Sequence, residues 1–148
     1  MKTIKKILYA TDFSESSLPA AGYALALAKL AGAEVHVLHV IGEFTDRRMS
    51  MIQPESMALL EREVEIQAFK EMEGFCRGIF DEEIPYTTEV VMGHPFEEII
   101  KKAVQLSFDL IVVGTHGRTG LERVFVGSTA ERLVRRSPVA VLTVRSGG

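Results

Sequence analysis

Short apolar or β-branched runs alternate along this chain with longer stretches whose apolar residues recur every third or fourth position. The runs "IKKILYA" (4–10), "EVHVLHV" (34–40), "YTTEVVM" (86–92), "DLIVVG" (109–114) and "VAVLTV" (139–144) read as five strands. Four helices fall between them. The first is rich in alanine (20, 21, 24, 26, 28), can be capped by Ser14, and stops at Gly32 near Ala31. The second starts near Glu55, and Met57, Leu60, Val64, Ala68, Met72, Phe75 and Ile79 step along one face that must be buried. Gly93-His94-Pro95 opens the third, with proline at its first position, Glu97 and Glu98 in its first turn, and Phe96, Ile99, Ile100 and Ala103 inward. The fourth spans Ser128–Arg136 with Ala130, Leu133 and Val134 inward, and Pro138 ends it.

Strict alternation of strand and helix predicts an α/β fold: a five-stranded parallel, doubly wound sheet with helices on both faces, Rossmann-like, in one domain covering 1–148. In such sheets ligands bind beyond the carboxyl ends of the strands, where the strand order reverses. Those ends are Asp12, Val40 to Gly42, Met92 to His94, and Gly114 onward. Residues 41–54, "IGEFTDRRMSMIQP", show no period and are long for a connection. They are either a surface insertion or a flap near the site using Met49, Met51 and Ile52.

Composition narrows the class. Nearly half of the 148 residues are apolar and a quarter are charged, as in ordinary globular proteins. No apolar run is long enough to span a bilayer, and Ile7–Ala10 is too short for a secretory signal, so no membrane association is expected. Cys76 is the only cysteine, which excludes an internal disulfide and fits a cytoplasmic location; on a helical stripe it reads as a small core residue. The net charge of −3 hides an asymmetry. Residues 1–113 carry 11 Lys/Arg against 18 Asp/Glu, a balance of −7, whereas 114–148 carry six Arg against two Glu, a balance of +4. The basic end suits an anionic ligand, although Arg132, Arg135 and Arg136 also complement a helix C-terminus. A nucleic-acid surface is not expected on so acidic a remainder.

The basic end holds "GTHGRTGLERVFVGST" (114–129). Neither GxxxxGK[ST] nor GxGxxG occurs in the chain. What remains is Gly114-x2-Gly117-x9-Gly127-Ser128-Thr129, its last three residues opening a helix. A helix N-terminus offers unpaired N–H groups and partial positive charge, which suits phosphate. Gly127 would admit the backbone to the phosphate, and the Ser128 and Thr129 hydroxyls would add bonds. The alternative is that Ser128 caps its helix and the glycines only make turns. Arg118 and His116 lie in the same loop, within reach of a phosphate. His94 and His116 follow neighbouring strand ends, but no cysteine or carboxylate pair completes a metal set with them or with His36 and His39.

The chain resembles the universal stress protein family over essentially its full length. The resemblance rests on the G-x2-G-x9-G-[ST] pattern at Gly114, Gly117, Gly127 and Ser128, on "ILYATDFSESS" (7–17) with Asp12 in the first loop, and on "HVLHV" (36–40). It implies strand order 3-2-1-4-5 and an adenine nucleotide as ligand: ATP, or AMP or ADP, with Mg²⁺. It further implies that Val40 holds the adenine through its backbone and that Asp12 sits at the adenosine end. Gly114 and Gly117 would run along the ribose and first phosphates, Gly127, Ser128 and Thr129 along the outer ones, with Met92 and Gly93 walling the pocket. The implied function is a nucleotide-dependent stress-response or signalling module with an unidentified protein partner; the alternatives are a nucleotide-independent dimeric interaction protein and a slow ATPase. The fifth strand, apolar and without charge before Arg145, would lie at a sheet edge and pair with its copy in a homodimer through Val139 to Val144.

Overall fold

Ile7, Leu8 and Tyr9 are all buried although successive strand residues point to opposite faces, so both faces of their strand are covered. The computed structural model describes residues 1–42, 51–80, 83–115 and 127–146. Its elements are β1 (Lys6–Ala10), α1 (Leu18–Ala31), β2 (Glu34–Gly42), α2 (Pro54–Arg77), β3 (Tyr86–Gly93), α3 (Pro95–Gln105), β4 (Leu110–Gly114), α4 (Ser128–Arg136) and β5 (Ala140–Val144). The five strands form one sheet in the order β3-β2-β1-β4-β5, and every pairing is parallel.

Two cores follow from the pleat. Ile7, Tyr9, Val35, Val37, Val112 and Val144 pack on one face against Ala20, Ala21, Ala24 and Ala28 of α1 and Met72, Cys76 and Phe80 from α2 and its C-terminal end. Leu8, Leu38, Ile111 and Val113 pack on the other against Ile99 and Ala103 of α3 and Ala130 and Leu133 of α4. The alanines bring α1 close to the sheet because they add no bulk. Each fully buried Leu or Ile contributes about 1.5–3 kcal/mol. Cys76 is a core residue, its Sγ 3.6 Å from the Met72 sulfur.

Several expectations need correction. Ser14 does not cap α1: it precedes a 3-10 turn, Glu15–Ser17, and Ser17 stands at the helix's amino-terminal boundary, with proline in the first turn. Gly32 closes α1 in the left-handed conformation, φ 67°, as the sequence suggested. On α4, Val134 is 60% exposed rather than inward, since Ala130 and Leu133 already fill the narrow buried side of a nine-residue helix. β1 begins at Lys6, where pairing with Glu34 starts, and Ile4 only packs against the core edge. β2 runs on to Gly42 beside Gly93, so the loop expected at 41–54 starts later; 43–50, with Met49, lie outside the described residues.

Glu89 and Tyr9 tie the fold to pH. Glu89 on β3 accepts from Lys102 of α3 at 2.7 Å and contacts His36 of β2 at 2.9 Å. Burial pushes its carboxyl up, but the Lys102 and His36 contacts together outweigh that and hold it below the ordinary value of 4.5. A carboxyl depressed in the folded state stabilises above its unfolded value and loses that contribution as pH falls through it. Glu89→Gln should therefore melt lower than the wild type at neutral pH, with the gap narrowing below about pH 4.5. Thermal melts of both proteins across the acid range measure it; a gap that does not change with pH would refute the contribution.

The Tyr9 hydroxyl donates to the Ser17 carbonyl at 2.8 Å, and burial pushes its phenol up from 10.0 to about 12. A raised folded value means stability present below pH 10.0 and lost as pH climbs toward about 12. Tyr9→Phe should cost about 1–3 kcal/mol at neutral pH, because a buried carbonyl loses its donor. The difference between the two proteins should shrink in alkaline melts and would stay constant if the phenol were not shifted.

Candidate functional site

A cavity of about 300 Å³ lies beyond the carboxyl ends of β1 and β4, between the turn after β1 and the amino ends of α3 and α4. The helices that follow these two strands, α1 and α4, lie on opposite faces of the sheet, so the winding reverses between them. The cavity's inner wall is apolar: Ala10, Leu38, Val40, Pro95, Ile99 and Val113. Among the described residues the buried polar side chains are Thr11, Ser17 and Thr115, and all three line this cavity.

The turn after β1 is built from hydroxyls. The Thr11 N–H donates to the Leu38 carbonyl at 2.9 Å, carrying the sheet one residue further. Phe13 then takes a left-handed backbone, φ 65°, which is uncommon for a bulky residue. Its N–H donates to Thr11 Oγ1 at 3.0 Å, and its ring packs on His39 at 4.2 Å and Phe75 at 5.6 Å. Ser17 Oγ donates to the Ser14 carbonyl at 2.8 Å, so its single proton is spent and Thr11 must donate across their 2.9 Å contact. A carbonyl only accepts, so His39 Nδ1, 2.7 Å from the Thr11 carbonyl, carries a proton. Asp12 Oδ1 accepts from the Ser14 N–H at 3.0 Å, which fixes the carboxylate at the cavity wall.

The opposite wall is a helix end. The Thr115 N–H donates to the Val144 carbonyl, and the Thr115 carbonyl receives the Gly127 N–H. Gly127 is the N-cap residue of α4, and among the described residues no side chain caps the helix. Ser128 is the first helical residue rather than the cap. Its N–H and those of Thr129 and Ala130 precede the first intrahelical bond, Glu131 N–H to the Gly127 carbonyl. All four residues from Gly127 to Ala130 line the cavity. Gly127 has φ −54° and ψ 146°, angles open to any residue, so its backbone conformation does not demand glycine.

Of the residues singled out in the sequence, Asp12, Val40, Gly114, Gly127, Ser128 and Thr129 line this one cavity. Met92 and Gly93 do not: they pair with Ile41 and Gly42 at the end of the β2–β3 ladder, one strand further out. There the Gly93 backbone, φ 154°, lies under the Glu98 side chain, where an added Cβ would stand 2.8 Å from Oε1. His116, Gly117 and Arg118 lie outside the described residues. Sequence reasoning missed Thr11, Ser17 and Thr115. Their signal was a hydroxyl directly after each of two neighbouring apolar strands, and at Ser17 a second one at the end of the turn that follows the first.

Among the described residues no group of His, Cys, Asp or Glu could hold a metal ion by itself, and no helix is long and apolar enough to cross a membrane.

The family model described as the Universal stress protein family matches residues 3–145. Universal stress protein MJ0577 of Methanocaldococcus jannaschii is 32% identical over 153 aligned positions, covering 95% of this chain and 94% of that protein. The solved structure of MJ0577 superposes with a TM-score of 0.86 at 33% identity, covering 99% of both chains. A universal stress protein in complex with cAMP shares the fold with a TM-score of 0.71 at 20% identity, covering 99% of this chain and all of that one. So does the universal stress protein from Archaeoglobus fulgidus in complex with dAMP, with a TM-score of 0.64 at 18% identity over 96% and 98% of the two chains. With both its sequence and its strand order matched end to end, this chain belongs to the universal stress protein family.

Proposed function

We propose that this chain binds an adenine nucleotide at the β1/β4 cavity and acts as a nucleotide-dependent stress-response module. The observation that carries the reading is the amino end of α4, which no described side chain caps and which opens on a cavity whose other wall is apolar. A nucleotide has this same division, a flat apolar base at one end and an anion at the other. The base fits the Leu38–Val40–Ile99 side, with the Val40 backbone and Asp12 beside base and ribose. Gly114 lies along the ribose side, and the Gly127, Ser128 and Thr129 N–H and hydroxyl groups meet phosphate. His116, Gly117 and Arg118 belong to the same loop by sequence and complete the phosphate side in this reading. The cavity volume is at the small end for ligand sites, which suits a nucleoside with its first phosphate. Asp12 is the one carboxylate among the described lining residues, so Mg²⁺ would arrive on the phosphates, as it usually does, rather than in a protein cage. The family relatives solved with cAMP and dAMP support a nucleotide of this class.

The same reading includes a homodimer through β5. Among the described residues this strand pairs only with β4, and its other edge has no strand partner. Ala140 is exposed, and Val141, Leu142 and Thr143 are half-buried. Val134, exposed on α4, adds apolar surface on a helix that packs on this strand. A bare apolar edge invites uncontrolled pairing, and two-fold self-pairing ends it at two subunits.

Gly127→Val should leave the apo fold intact, since its φ and ψ admit valine, and should abolish stabilisation by ATP. For wild type at about 100 times the dissociation constant the expected gain is about 2.7 kcal/mol. Equal ATP-induced melting shifts in both proteins would sink the site. Separately, Val141→Lys with Leu142→Lys should convert a wild-type dimer to a monomer in light scattering at micromolar concentration. A monomeric wild type, or a dimeric variant, would refute pairing at β5.

A further inference from the structure

Helix α2 has two apolar faces, and the fold uses only one. Ala68, Met72 and Cys76 turn toward the sheet and are buried. On the far side Leu59, Ile66 and Phe69 are 66%, 48% and 54% exposed. Scattered exposed apolar residues are ordinary, but these fall on one stripe with Arg62 and Glu73 between and after them. The spacing 59-62-66-69-73 alternates three and four, the seam of two helices packed side by side. At position 76 the stripe turns into the core, so the usable seam runs from Leu59 to Glu73.

The charges on this seam say what it fits. A two-fold axis through the midpoint of Ile66–Phe69 runs a second α2 antiparallel to the first. It sets Ile66 against the second copy's Phe69 and Phe69 against its Ile66. The same rotation sets Arg62 against the second copy's Glu73, and Glu73 against its Arg62. Two apolar layers are thus closed at both ends by opposite charges. The parallel alternative stacks arginine on arginine and glutamate on glutamate, which is repulsive. Glu73 lies 3.4 Å from Arg77, an exposed pair that adds little stability and can exchange for a partner across the seam.

We infer that a second copy of this chain docks on the outer face of α2 as an antiparallel helix pair, with Ile66 and Phe69 at its centre and Arg62–Glu73 pairs at its ends. From residue 62 to 73 the seam spans about 16 Å, far less than an interface of roughly 1,200 Å² requires for tight binding. The pairing is therefore weak and acts at high local concentration. Set beside the β5 pairing proposed above, it is a second isologous contact on the far edge of the molecule, able to join dimers into larger assemblies.

The Val141→Lys, Leu142→Lys chain removes the β5 contact and isolates this one. Its average mass in sedimentation equilibrium should rise from micromolar to near-millimolar concentration. Adding Phe69→Lys should abolish the rise. Adding Glu73→Arg should weaken association roughly tenfold by turning both end layers repulsive, and adding Arg62→Glu to that chain should restore it. A mass that does not rise, or a Glu73→Arg defect that Arg62→Glu leaves unrepaired, overturns the proposal. A second measurement uses the otherwise wild-type chain, with Arg62→Cys and Glu73→Cys made separately and oxidised. The mixture should form a cross-linked dimer faster than either variant alone, as only an antiparallel register brings positions 62 and 73 together. Equal or faster cross-linking of the separate variants overturns the register and the proposal with it.

Discussion

Everything about this site depends on one reversal in the winding of the sheet. From β1 the chain moves outward through β2 to β3 with α1 and α2 on one face, then crosses to β4 and β5 with α3 and α4 on the other. Right-handed crossovers make this division unavoidable, since the direction of travel across the sheet decides the face a helix takes. At the β1/β4 boundary the helices that follow therefore lie on opposite faces, and a crevice lies beyond strand ends that are hydrogen-bonded neighbours lower down. The cavity is a consequence of strand order, and the residues around it only decide what it can hold.

What those residues do first is make one wall of the crevice polar without wasting hydrogen bonds. A left-handed Phe13 costs on the order of 1–3 kcal/mol and persists only where its surroundings over-determine it. Here Thr11 Oγ1 receives its N–H, His39 and Phe75 hold its ring, and Ser17 ties the following turn to Thr11, Ser14 and, through its carbonyl, Tyr9. The effect is to aim the chain away from β1 at once and leave Asp12 facing the cavity. Each member of the network satisfies another, which is the condition for burying so many polar groups. The Ser14 hydroxyl is the exception: its oxygen is buried and has no hydrogen-bond partner among the described residues.

Much of this was legible in the sequence, for definite reasons. Short apolar runs at 7–10 and 110–113, alternating with helical periods, point to central parallel strands, and the three-four spacing on α2 to a packed helix. Of the seven residues on that stripe, however, only Ala68 and Met72 are buried. Gly127-Ser128-Thr129 stood out because glycine beside two hydroxyls opening a helix is a chemical pattern, independent of tertiary packing. Less local features stayed hidden. Val134 sits at a helical period from Ala130, yet whether an apolar residue is covered depends on the neighbouring strand having a further partner. The 3-10 turn ahead of α1 and the use of Ser17 instead of Ser14 depend on bonds to Tyr9 and Thr11, residues up to eight positions away in sequence. Met92 and Gly93 follow an apolar strand just as Gly114 does. Only the sheet order shows that β3 ends one strand beyond the crevice.

The choice of glycine at the head of α4 joins stability to function. A serine or aspartate at position 127 would cap the helix with its own side chain, filling the N–H groups that now line the cavity. Alanine would cap nothing and cost about 1 kcal/mol, whereas glycine falls only a few tenths short of the best caps. Glycine thus leaves the helix nearly as stable as a capped one, with no described side chain on its first N–H groups. The Gly127 N–H is itself anchored on the Thr115 carbonyl, a backbone bond that ties the helix end to the residue after β4. An anion arriving there would act as the missing cap, and the binding energy it gains is the capping energy that the sequence leaves unused.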